Sequence, residues 1–339
     1  MADAEDAIFM HRAMREARKG IGLTSPNPPV GAILVRKGGI VGHGWHRKAG
    51  GPHAEIEALN SARQSPKGAT LYVTLEPCST HGRTPPCTDA IVAAGIRRVV
   101  YACTDPHGVH DGRARSILEK AGIEVTVGVG ETEGCELLRP WTKFITRRLP
   151  WVIAKAGMSL DGKITRPPGE GQWLTDETAR ADAMKLRRRC DAILVGAETV
   201  RRDNPSLTLR PPVPAKTQPW RVVLTKSGRL PPDARLFTDD HRERTLVFKS
   251  QPLERVLSSL ATEHGVVTVL IEGGGTIFAQ AFAHRLVDEV CFYTAPMLCG
   301  TGRPVIDAGH FVGGSVTFEN VRWKPVGNAI RCSGLVRYR

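Results

Sequence analysis

The chain has 339 residues, of which 41% are hydrophobic and 24% charged, and these values exclude an intrinsically disordered or collagen-like protein. No apolar stretch approaches the roughly 20 residues of a membrane-spanning helix, and at roughly 100–200 residues per domain the length predicts two domains. The net charge of +13 is spread along the chain with no basic run longer than three residues, which favours small anionic ligands over a nucleic-acid tract.

The front part of the chain alternates between helix and strand patterns. Apolar residues at helical spacing predict a first helix that ends near Gly20, and a strand pair follows over 30–35 and 40–45. Further helices are predicted over 53–63, 87–94, 113–121 and 131–147, and further strands over 69–75, 97–103 and 123–129. This alternation predicts an α/β domain.

A second α/β pattern begins at Trp151, after the basic segment that ends at Pro150. We therefore predict one domain over 1–148 and another over 149–339. Strands are predicted over 151–156, 191–195, 221–224, 245–248 and 267–271, and the proline-rich stretch 211–219 is predicted to be a loop. No internal repeat or coiled-coil pattern is present.

Three short segments of the front domain contain candidate metal ligands: His53-Ala54-Glu55, Pro77-Cys78 and Cys87. One imidazole and two thiolates supply three ligands to a tetrahedral zinc and leave a position for water, whose pKa zinc lowers to about 7. Glu55 lies close to the metal but stays free to shuttle protons. This arrangement is typical of zinc deaminases, in which hydroxide attacks an amino-bearing ring carbon.

Each piece by itself also has an ordinary structural interpretation. Buried cysteines often pack as small apolar groups, and a His-x-Glu triplet occurs by chance in many proteins. Eight residues separate Cys78 from Cys87, where the general signature has two, and a structural zinc would need a fourth ligand such as His81. Because the pieces occur together and in order, we interpret them as a catalytic zinc site.

The segment from Pro77 to Cys87, PCSTHGRTPPC, closely resembles the zinc loop of the bifunctional riboflavin-biosynthesis deaminase–reductase family. The resemblance extends to the stretches 27–31, 46–55 and 74–78, whereas the family often has histidine at Thr80 and Asn-Pro at His107-Gly108. It implies a cytidine-deaminase-like three-layer α/β/α domain that acts on a diamino-pyrimidinone ribosylamine phosphate.

The same resemblance assigns roles to particular residues. It makes His53, Cys78 and Cys87 the metal ligands, Glu55 the proton shuttle and Asn27 a contact of the substrate base. An anionic phosphate also needs donors, and we expect these from the loop residues His46, His81, Arg83 and Thr84. Arg83 has the alternative of a solvated loop arginine.

In the back domain, a predicted strand is followed by Glu272-Gly273-Gly274-Gly275 and then a helix, a turn that suits a phosphate but is weak evidence by itself. It is not the dinucleotide fingerprint of a Rossmann domain. The segments KAGMSLDGK at 155–163, QWLT at 172–175, DNPSLT at 203–208 and IEGG at 271–274 resemble the reductase half of the same family. The resemblance implies a dihydrofolate-reductase-like α/β domain that uses NADPH to reduce a ribosyl group to ribityl.

The implied NADP contacts are Gly157, Trp173, Thr199, Asp203, Gly274, Gly275, Thr276, Ile277, Phe278, Ala279 and Gln280. The implied substrate contacts are Gly171, Arg187, Leu207, Arg210 and Glu272. Candidates for polarising or protonating the sugar are Lys155, Asp203 and Glu272, in no order. The ordinary alternatives are core packing for Trp173, a solvated helix face for Arg187–Arg189 and a simple turn for Asp161-Gly162.

We therefore predict a bifunctional enzyme with zinc and NADPH as cofactors and small phosphorylated pyrimidines as substrates. The acidic N-terminus lacks a secretory signal, so we expect a cytoplasmic homo-oligomer with no nucleic-acid or membrane partner and with reduced cysteines. The rivals are a nucleic-acid base deaminase with an accessory or inactive C-terminal domain, a zinc-stabilised binding protein without turnover, and a deaminase whose back half is inactive. Residues expected only to pack are Met10, Met14, Cys103, Cys135, Cys190, Cys291, Cys299 and Cys332.

Overall fold

The computed structural model describes residues 4–80, 85–107, 112–212, 217–307, 309 and 314–339. The chain divides into two compact units, Met1–Arg148 and Leu149–Arg339. Each unit is built on a sheet flanked by helices, as the alternating patterns predict. Within the described residues, no helix is long and apolar enough to cross a membrane.

The first unit contains a five-stranded sheet in the order β2-β1-β3-β4-β5. Its strands are β1 (Gly31–Arg36), β2 (Gly39–Trp45), β3 (Thr70–Leu75), β4 (Arg98–Cys103) and β5 (Glu124–Val127). Its helices are α1 (Ala4–Arg18), α2 (Ala54–Asn60), α3 (Cys87–Ala93), α4 (Arg113–Lys120) and α5 (Glu131–Arg147). Strands β3, β4 and β5 are parallel, whereas β1 is antiparallel to both of its neighbours.

Two glycines show that helices cover both faces of this sheet. A Cβ on Gly31 would lie 2.2 Å from the carbonyl oxygen of Ala13 in α1, and a Cβ on Gly44 would lie 2.4 Å from the nitrogen of Ala58 in α2. Gly44 pairs with Ala32, the residue after Gly31, so the two glycines point to opposite faces of the sheet. Glycine at these positions lets α1 and α2 approach closely from either side, which gives three layers.

The second unit contains an eight-stranded sheet in the order β12-β13-β11-β6-β10-β7-β8-β9. Its strands are β6 (Trp151–Ser159), β7 (Ala192–Gly196), β8 (Trp220–Thr225), β9 (Thr245–Lys249), β10 (Thr268–Ile271), β11 (Glu289–Ala295), β12 (Val316–Val326) and β13 (Ala329–Tyr338). Its helices are α6 (Glu177–Arg189), α7 (Ala197–Asp203), α8 (Arg235–Thr238), α9 (Leu253–His264) and α10 (Gly275–Ala283).

Six neighbouring strands of this sheet, from β11 to β9, run parallel. Their carboxyl ends therefore lie along one edge, which is where ligands bind in open α/β sheets. The five strands predicted for this part of the chain are all present, whereas β11 and the antiparallel pair β12–β13 have no counterpart in the sequence analysis. Strand β12 is an edge strand with mostly exposed residues, so it lacks the alternation of apolar and polar residues that identifies a half-buried strand.

The packing predictions for the sulfur-containing residues are confirmed with one exception. Met10 and Met14 are buried, as are Cys103, Cys190, Cys291, Cys299 and Cys332. The prediction is wrong for Cys135, which is exposed on α5. The Cys135 sulfur still lies 3.5 Å from the buried Cys103 sulfur, so the residue contacts the core although it is exposed.

Candidate active sites

The metal-binding residues of the first unit meet where β3 ends and two helices begin. His53 directly precedes α2, Cys78 follows β3 after two residues, and Cys87 is the first residue of α3. The His53 Nδ1 atom lies 3.4 Å from the Cys78 sulfur and 3.3 Å from the Cys87 sulfur. The three donor atoms all lie within 4.8 Å of one another. The structure thus brings together three residues that are up to 34 positions apart.

This donor set fits a zinc ion. One imidazole nitrogen and two sulfurs are the ligands of catalytic zinc sites that keep a fourth position for water. Among the described residues, no fourth histidine, cysteine, aspartate or glutamate joins the cluster. His81, proposed as a fourth ligand or a phosphate contact, and the proposed phosphate contacts Arg83 and Thr84 lie outside the described residues.

Hydrogen bonds in the cluster favour the thiolate form of Cys78. The side-chain bond from Cys87 outweighs the effect of burial and, with the bond from His53, lowers the pKa of Cys78 to about 4. The backbone N–H of Cys87 also donates to the Cys78 sulfur at 3.2 Å. The bond to Cys78, together with burial, raises the pKa of Cys87. Thiolate is the form of cysteine that binds metals, so the fold prepares Cys78 as a ligand.

Glu55 lies in the first turn of α2, and only 3% of its surface is exposed. Burial, followed by the charge of Cys78, raises the pKa of Glu55 to about 7. The Cys87 thiol forms a hydrogen bond with the Glu55 carboxyl group. The structure therefore places this carboxyl group directly beside the three candidate ligands, without making it one of them.

Asn27 and His46 are joined by a hydrogen bond next to the same cluster. The Asn27 amide Nδ2 donates to His46 Nε2 at 3.0 Å, and His46 Nδ1 donates to the Pro52 carbonyl at 2.9 Å. Burial lowers the pKa of His46, and the ring stands edge-on to that of His53 at 5.4 Å. Because both of its nitrogens are occupied, His46 offers no free donor to a phosphate, and its contact with the site runs through Asn27.

Glu76 is a buried carboxylate for which the sequence analysis gave no role. Its Oε2 accepts hydrogen bonds from the backbone N–H groups of Asp105 and Gly112, each at 3.2 Å, and its Oε1 accepts one from Ala114 at 3.0 Å. Glu76 therefore holds the chain after β4 and the start of α4 against the loop that carries Cys78. The sequence offered one signal for this role, which is that the acidic residue stands directly between a buried strand and the Pro77-Cys78 pair.

The second unit encloses a cavity of about 1640 Å³ at the carboxyl ends of its parallel strands. Its volume exceeds the roughly 300–1,000 Å³ of a site for one small molecule, so a cofactor and a substrate have room side by side. The cavity is lined by Lys155, Gly157, Gly171, Trp173, Arg187, Thr199, Asp203, Leu207, Arg210, Glu272, Gly274, Gly275, Thr276, Ile277, Phe278 and Gln280. Of the residues predicted for this site, Ala279 alone does not line the cavity, because its side chain faces the core from α10.

Arg187 and Glu272 form a buried ion pair at the floor of the cavity. The Arg187 Nε and Nη2 atoms donate to the two carboxylate oxygens of Glu272 at 2.7 and 2.6 Å, and Nη1 donates to the Thr208 carbonyl at 3.2 Å. Burial alone would raise the pKa of Glu272, but the charges of Arg187 and Lys155 outweigh burial and lower it to about 2. The solvated-face alternative is therefore wrong for Arg187, whose guanidinium is largely committed to Glu272.

Trp173 is not a core residue, since 57% of its surface is exposed at the cavity wall and the Arg180 guanidinium lies 4.9 Å from its ring centre. Asp203 is exposed at the same wall, and partial burial raises its pKa. Asp161 lies outside the cavity and accepts a hydrogen bond from the Cys299 N–H at 3.0 Å. The ordinary structural alternative therefore holds for Asp161 and is wrong for Trp173.

The glycine-rich turn before α10 needs its glycines. Gly273 and Gly274 have φ values of +119° and +86°, which other residues rarely adopt, and a Cβ on Gly275 would lie 2.5 Å from the Pro304 carbonyl oxygen. The cavity is also cationic, because nine arginines and lysines line it against five acidic residues. An exposed helix N-terminus in a cationic cavity fits a cofactor that carries several phosphates, such as NADPH.

Comparisons with known proteins cover both units. Residues 150–332 match the family described as "RibD C-terminal domain", and residues 3–103 match the "Cytidine and deoxycytidylate deaminase zinc-binding region". The "Riboflavin biosynthesis protein RibD" of Aquifex aeolicus is 39% identical over 324 residues, which are 90% of each chain. The chain belongs to the RibD family.

Solved structures agree with this assignment. Acinetobacter baumannii RibD has a TM-score of 0.90 at 34% identity, with 98% of this chain and 99% of that chain covered. A Thermotoga maritima protein titled "diaminohydroxyphosphoribosylaminopyrimidine deaminase/ 5-amino-6-(5-phosphoribosylamino)uracil reductase" has a TM-score of 0.86 at 34% identity, with 99% of both chains covered. The predicted fold class, a deaminase-like α/β domain followed by a reductase α/β domain, is confirmed.

Family membership also confirms the predicted activity. This RibD family member is a bifunctional deaminase and reductase of riboflavin biosynthesis that acts on small molecules, with zinc as the cofactor of the first unit and NADPH as that of the second. The alternative of a nucleic-acid base deaminase is not favoured, since a reductase domain fills the second unit.

Proposed function

We propose that the two units catalyse consecutive steps on one phosphorylated pyrimidine. The first hydrolyses the exocyclic amine of 2,5-diamino-6-(5-phosphoribosylamino)pyrimidin-4(3H)-one, and the second reduces the ribosyl group of 5-amino-6-(5-phosphoribosylamino)uracil to ribityl. The names of the Thermotoga maritima relative's two activities support this pair of substrates. The observation that carries the proposal is the presence, in one chain, of a His/Cys/Cys cluster beside a buried carboxyl group and of a cationic cavity with a buried Glu–Arg pair.

In the first unit, His53, Cys78 and Cys87 hold zinc, which supplies a water nucleophile at neutral pH when it is bound. Glu55 is close enough to take a proton from the attacking water and to pass one to the departing amine. Asn27 orients the pyrimidine through its carbonyl oxygen, because His46 fixes the amide by accepting its N–H. His46 is thus a positioning residue, and Arg83 remains the proposed partner of the substrate phosphate.

In the second unit, NADPH supplies a hydride when it is bound. The N-terminus of α10 would hold its diphosphate, and Gly157, Trp173 and Thr199, which line the same cavity, would contact the cofactor. The Lys155 ammonium, close enough to contribute to the shifted pKa of Glu272, donates a proton to the sugar oxygen as the ring opens. Asp203 stands at the exposed wall as an alternative acid.

The ion pair changes the proposed role of Arg187. With three of its N–H groups bound to Glu272 and Thr208, Arg187 positions Glu272 for contact with the sugar. Arg210 lines the same cavity, and its guanidinium has no partner in the part of the chain that the structure describes. We assign the substrate phosphate to Arg210, with Gly171 and Leu207 on the ring side of the substrate.

The test is an assay of the zinc-loaded full chain on the diamino-pyrimidinone substrate, in which ammonia release and NADPH oxidation are followed separately. We expect both signals, with NADPH oxidation dependent on prior ammonia release. If the deaminated product supplied directly also fails to oxidise NADPH, the proposal for the second unit is wrong. If folded, zinc-loaded protein releases no ammonia, the proposal for the first unit is wrong.

Replacing Cys87 by serine should reduce bound zinc from about one ion per chain to a small fraction, because two protein ligands hold zinc far less tightly than three. The matched control is Cys135→Ser, which changes an exposed thiol of the same unit outside the cluster. Elemental analysis after dialysis gives the stoichiometry. Full zinc content in Cys87→Ser, or an equal loss in Cys135→Ser, would contradict the assignment.

We also propose that the enzyme works in the cytoplasm, takes no nucleic-acid substrate and forms a homo-oligomer. The edge strand β12 supports self-association, because no strand of the described residues pairs with its outer side and its Trp323 side chain is 68% exposed. Light scattering on the purified chain measures the assembly. A monomer at micromolar concentration, or RNA binding that survives physiological salt, would contradict the corresponding part of this proposal.

A further inference from the structure

The cavity of the second unit extends along the sheet edge well beyond the proposed site of hydride transfer. Lys155, in the middle of β6, and Glu272, directly after β10, mark its reducing end. The sheet continues through β7 and β8 to β9, and Lys226 and Ser250, which directly follow β8 and β9, line the far end. At about 4.8 Å between strands, the edge from β6 to β9 spans about 19 Å. An extended dinucleotide with its nicotinamide at Lys155 therefore reaches β8 with its adenosine.

The backbone around Lys226 is held firmly at this rim. The Thr225 hydroxyl accepts a hydrogen bond from the Gly228 N–H at 3.0 Å, and the Thr225 carbonyl accepts one from the Ser250 N–H at 2.8 Å. The Ser250 hydroxyl donates to the Lys226 carbonyl at 2.7 Å. Three bonds thus fix the backbone from which the Lys226 side chain extends, so the position of its Cα needs no ordering when a ligand binds.

The Lys226 ammonium has no ion pair or hydrogen bond within the described residues, and the side chain is exposed to the cavity. The other charged residues that line this end are Arg235 and Glu254. Arg235 begins the short helix α8, and its side chain likewise has no ion pair or hydrogen bond within the described residues. Lys226 is the cation that directly follows β8 in the chain.

A free cation at this position has a specific chemical meaning. In Rossmann domains, sites that take NADH place a carboxylate on the ribose 2′-hydroxyl, whereas sites that take NADPH place a cation near the 2′-phosphate. The same charge complementarity applies in any fold, because a phosphate is anionic and a hydroxyl is not. Here the strand ends in Thr225 and Lys226, with no acidic residue in the turn. We propose that Lys226 selects NADPH over NADH by binding the 2′-phosphate of the adenosine ribose. This inference rests on the proposed function of the second unit.

The experiment measures binding rather than turnover. Dissociation constants of NADPH and NADH are determined by calorimetry for the zinc-loaded full chain and for Lys226→Gln. We expect the NADPH constant to rise about 10- to 100-fold, as for loss of one charge-assisted hydrogen bond, and the NADH constant to change less than about twofold. Lys226→Arg should restore most of the preference, and adenosine 2′,5′-bisphosphate should lose affinity in parallel with NADPH.

Two controls separate the possible outcomes. Lys249→Gln removes an exposed cation at the end of β9 that does not line the cavity, and it should leave both constants unchanged. An unchanged NADPH constant in Lys226→Gln, an equal loss for NADPH and NADH, or selective loss in Arg235→Gln instead would overturn the inference while leaving the reductase proposal intact. If the unaltered chain binds neither nucleotide, the proposed function of the second unit is wrong, and the role of Lys226 falls with it.

Discussion

Replacing Glu55 by glutamine should reduce ammonia release by about 10²- to 10⁴-fold, the usual effect of removing a general acid–base group. Glutamine has nearly the same shape, so it can occupy the buried position at the start of α2 without displacing His53. Its amide cannot carry a proton between water and amine. Bound zinc, and NADPH oxidation with the deaminated product supplied directly, should both stay at the level of the unaltered chain.

Glu57→Gln is the matched control, because Glu57 lies on the same helix and pairs with Arg47 at 3.3 Å instead of facing the cluster. It should leave ammonia release within about twofold. If Glu55→Gln loses zinc as well as activity, the carboxyl group supports the metal site rather than the proton transfer. If it keeps full activity, Glu55 is not the proton shuttle.

Replacing Arg187 by methionine should abolish reduction and lower the free energy of unfolding of the second unit by about 3–5 kcal/mol. The substitution leaves the Glu272 carboxylate buried without its bidentate partner, which is the costly way to break a buried ion pair. Urea unfolding followed by tryptophan fluorescence gives the stability, and oxidation of NADPH gives the activity. The double variant Arg187→Met with Glu272→Leu should recover stability but not activity, since no unpaired charge remains.

Arg189→Met is the control for this series, because Arg189 is exposed near the end of the same helix and changes at such positions usually cost less than about 0.5 kcal/mol. A loss of stability in Arg187→Met no larger than in Arg189→Met would contradict the importance of the pair. Full reductase activity in Arg187→Met would contradict its positioning role.

The same pair predicts how acid affects the second unit. The folded-state pKa of Glu272 is about 2, below its ordinary value of 4.5. Relative to the protonated carboxyl group, the ionised form therefore adds stability on the order of 3 kcal/mol, which is fully present above pH 4.5. This contribution falls as the pH drops through 4.5, where the unfolded chain gains a proton, and is lost near pH 2. In the double variant, unfolding measured between these pH values should be less sensitive to acid. An equal acid dependence in both proteins would contradict the shifted pKa.

Local features could be predicted from the residues alone. Periodicity identified the alternating helices and strands of the first unit and five strands of the second, because amphipathic spacing depends only on residues within a few positions of one another. The zinc ligands His53, Cys78 and Cys87 were found from short motifs that include their neighbours Glu55 and Pro77. The edge strand β12 was not predicted, since its mostly exposed residues lack the apolar periodicity of a half-buried strand.

Contacts between residues far apart in the sequence follow from the three-dimensional fold and could not be predicted from local patterns. Arg187 and Glu272 are 85 positions apart and form their ion pair because the parallel crossovers place α6 beside the end of β10. Glu76 accepts hydrogen bonds from backbone groups up to 38 positions away. Lys226 lies within reach of a bound dinucleotide because β8 is only two strands from β10 in the sheet. Such contacts depend on strand order and on closure of long loops, which no local spacing encodes. For this reason the short motifs indicated the zinc and NADPH chemistry, while the fold showed which side chains pair with each other.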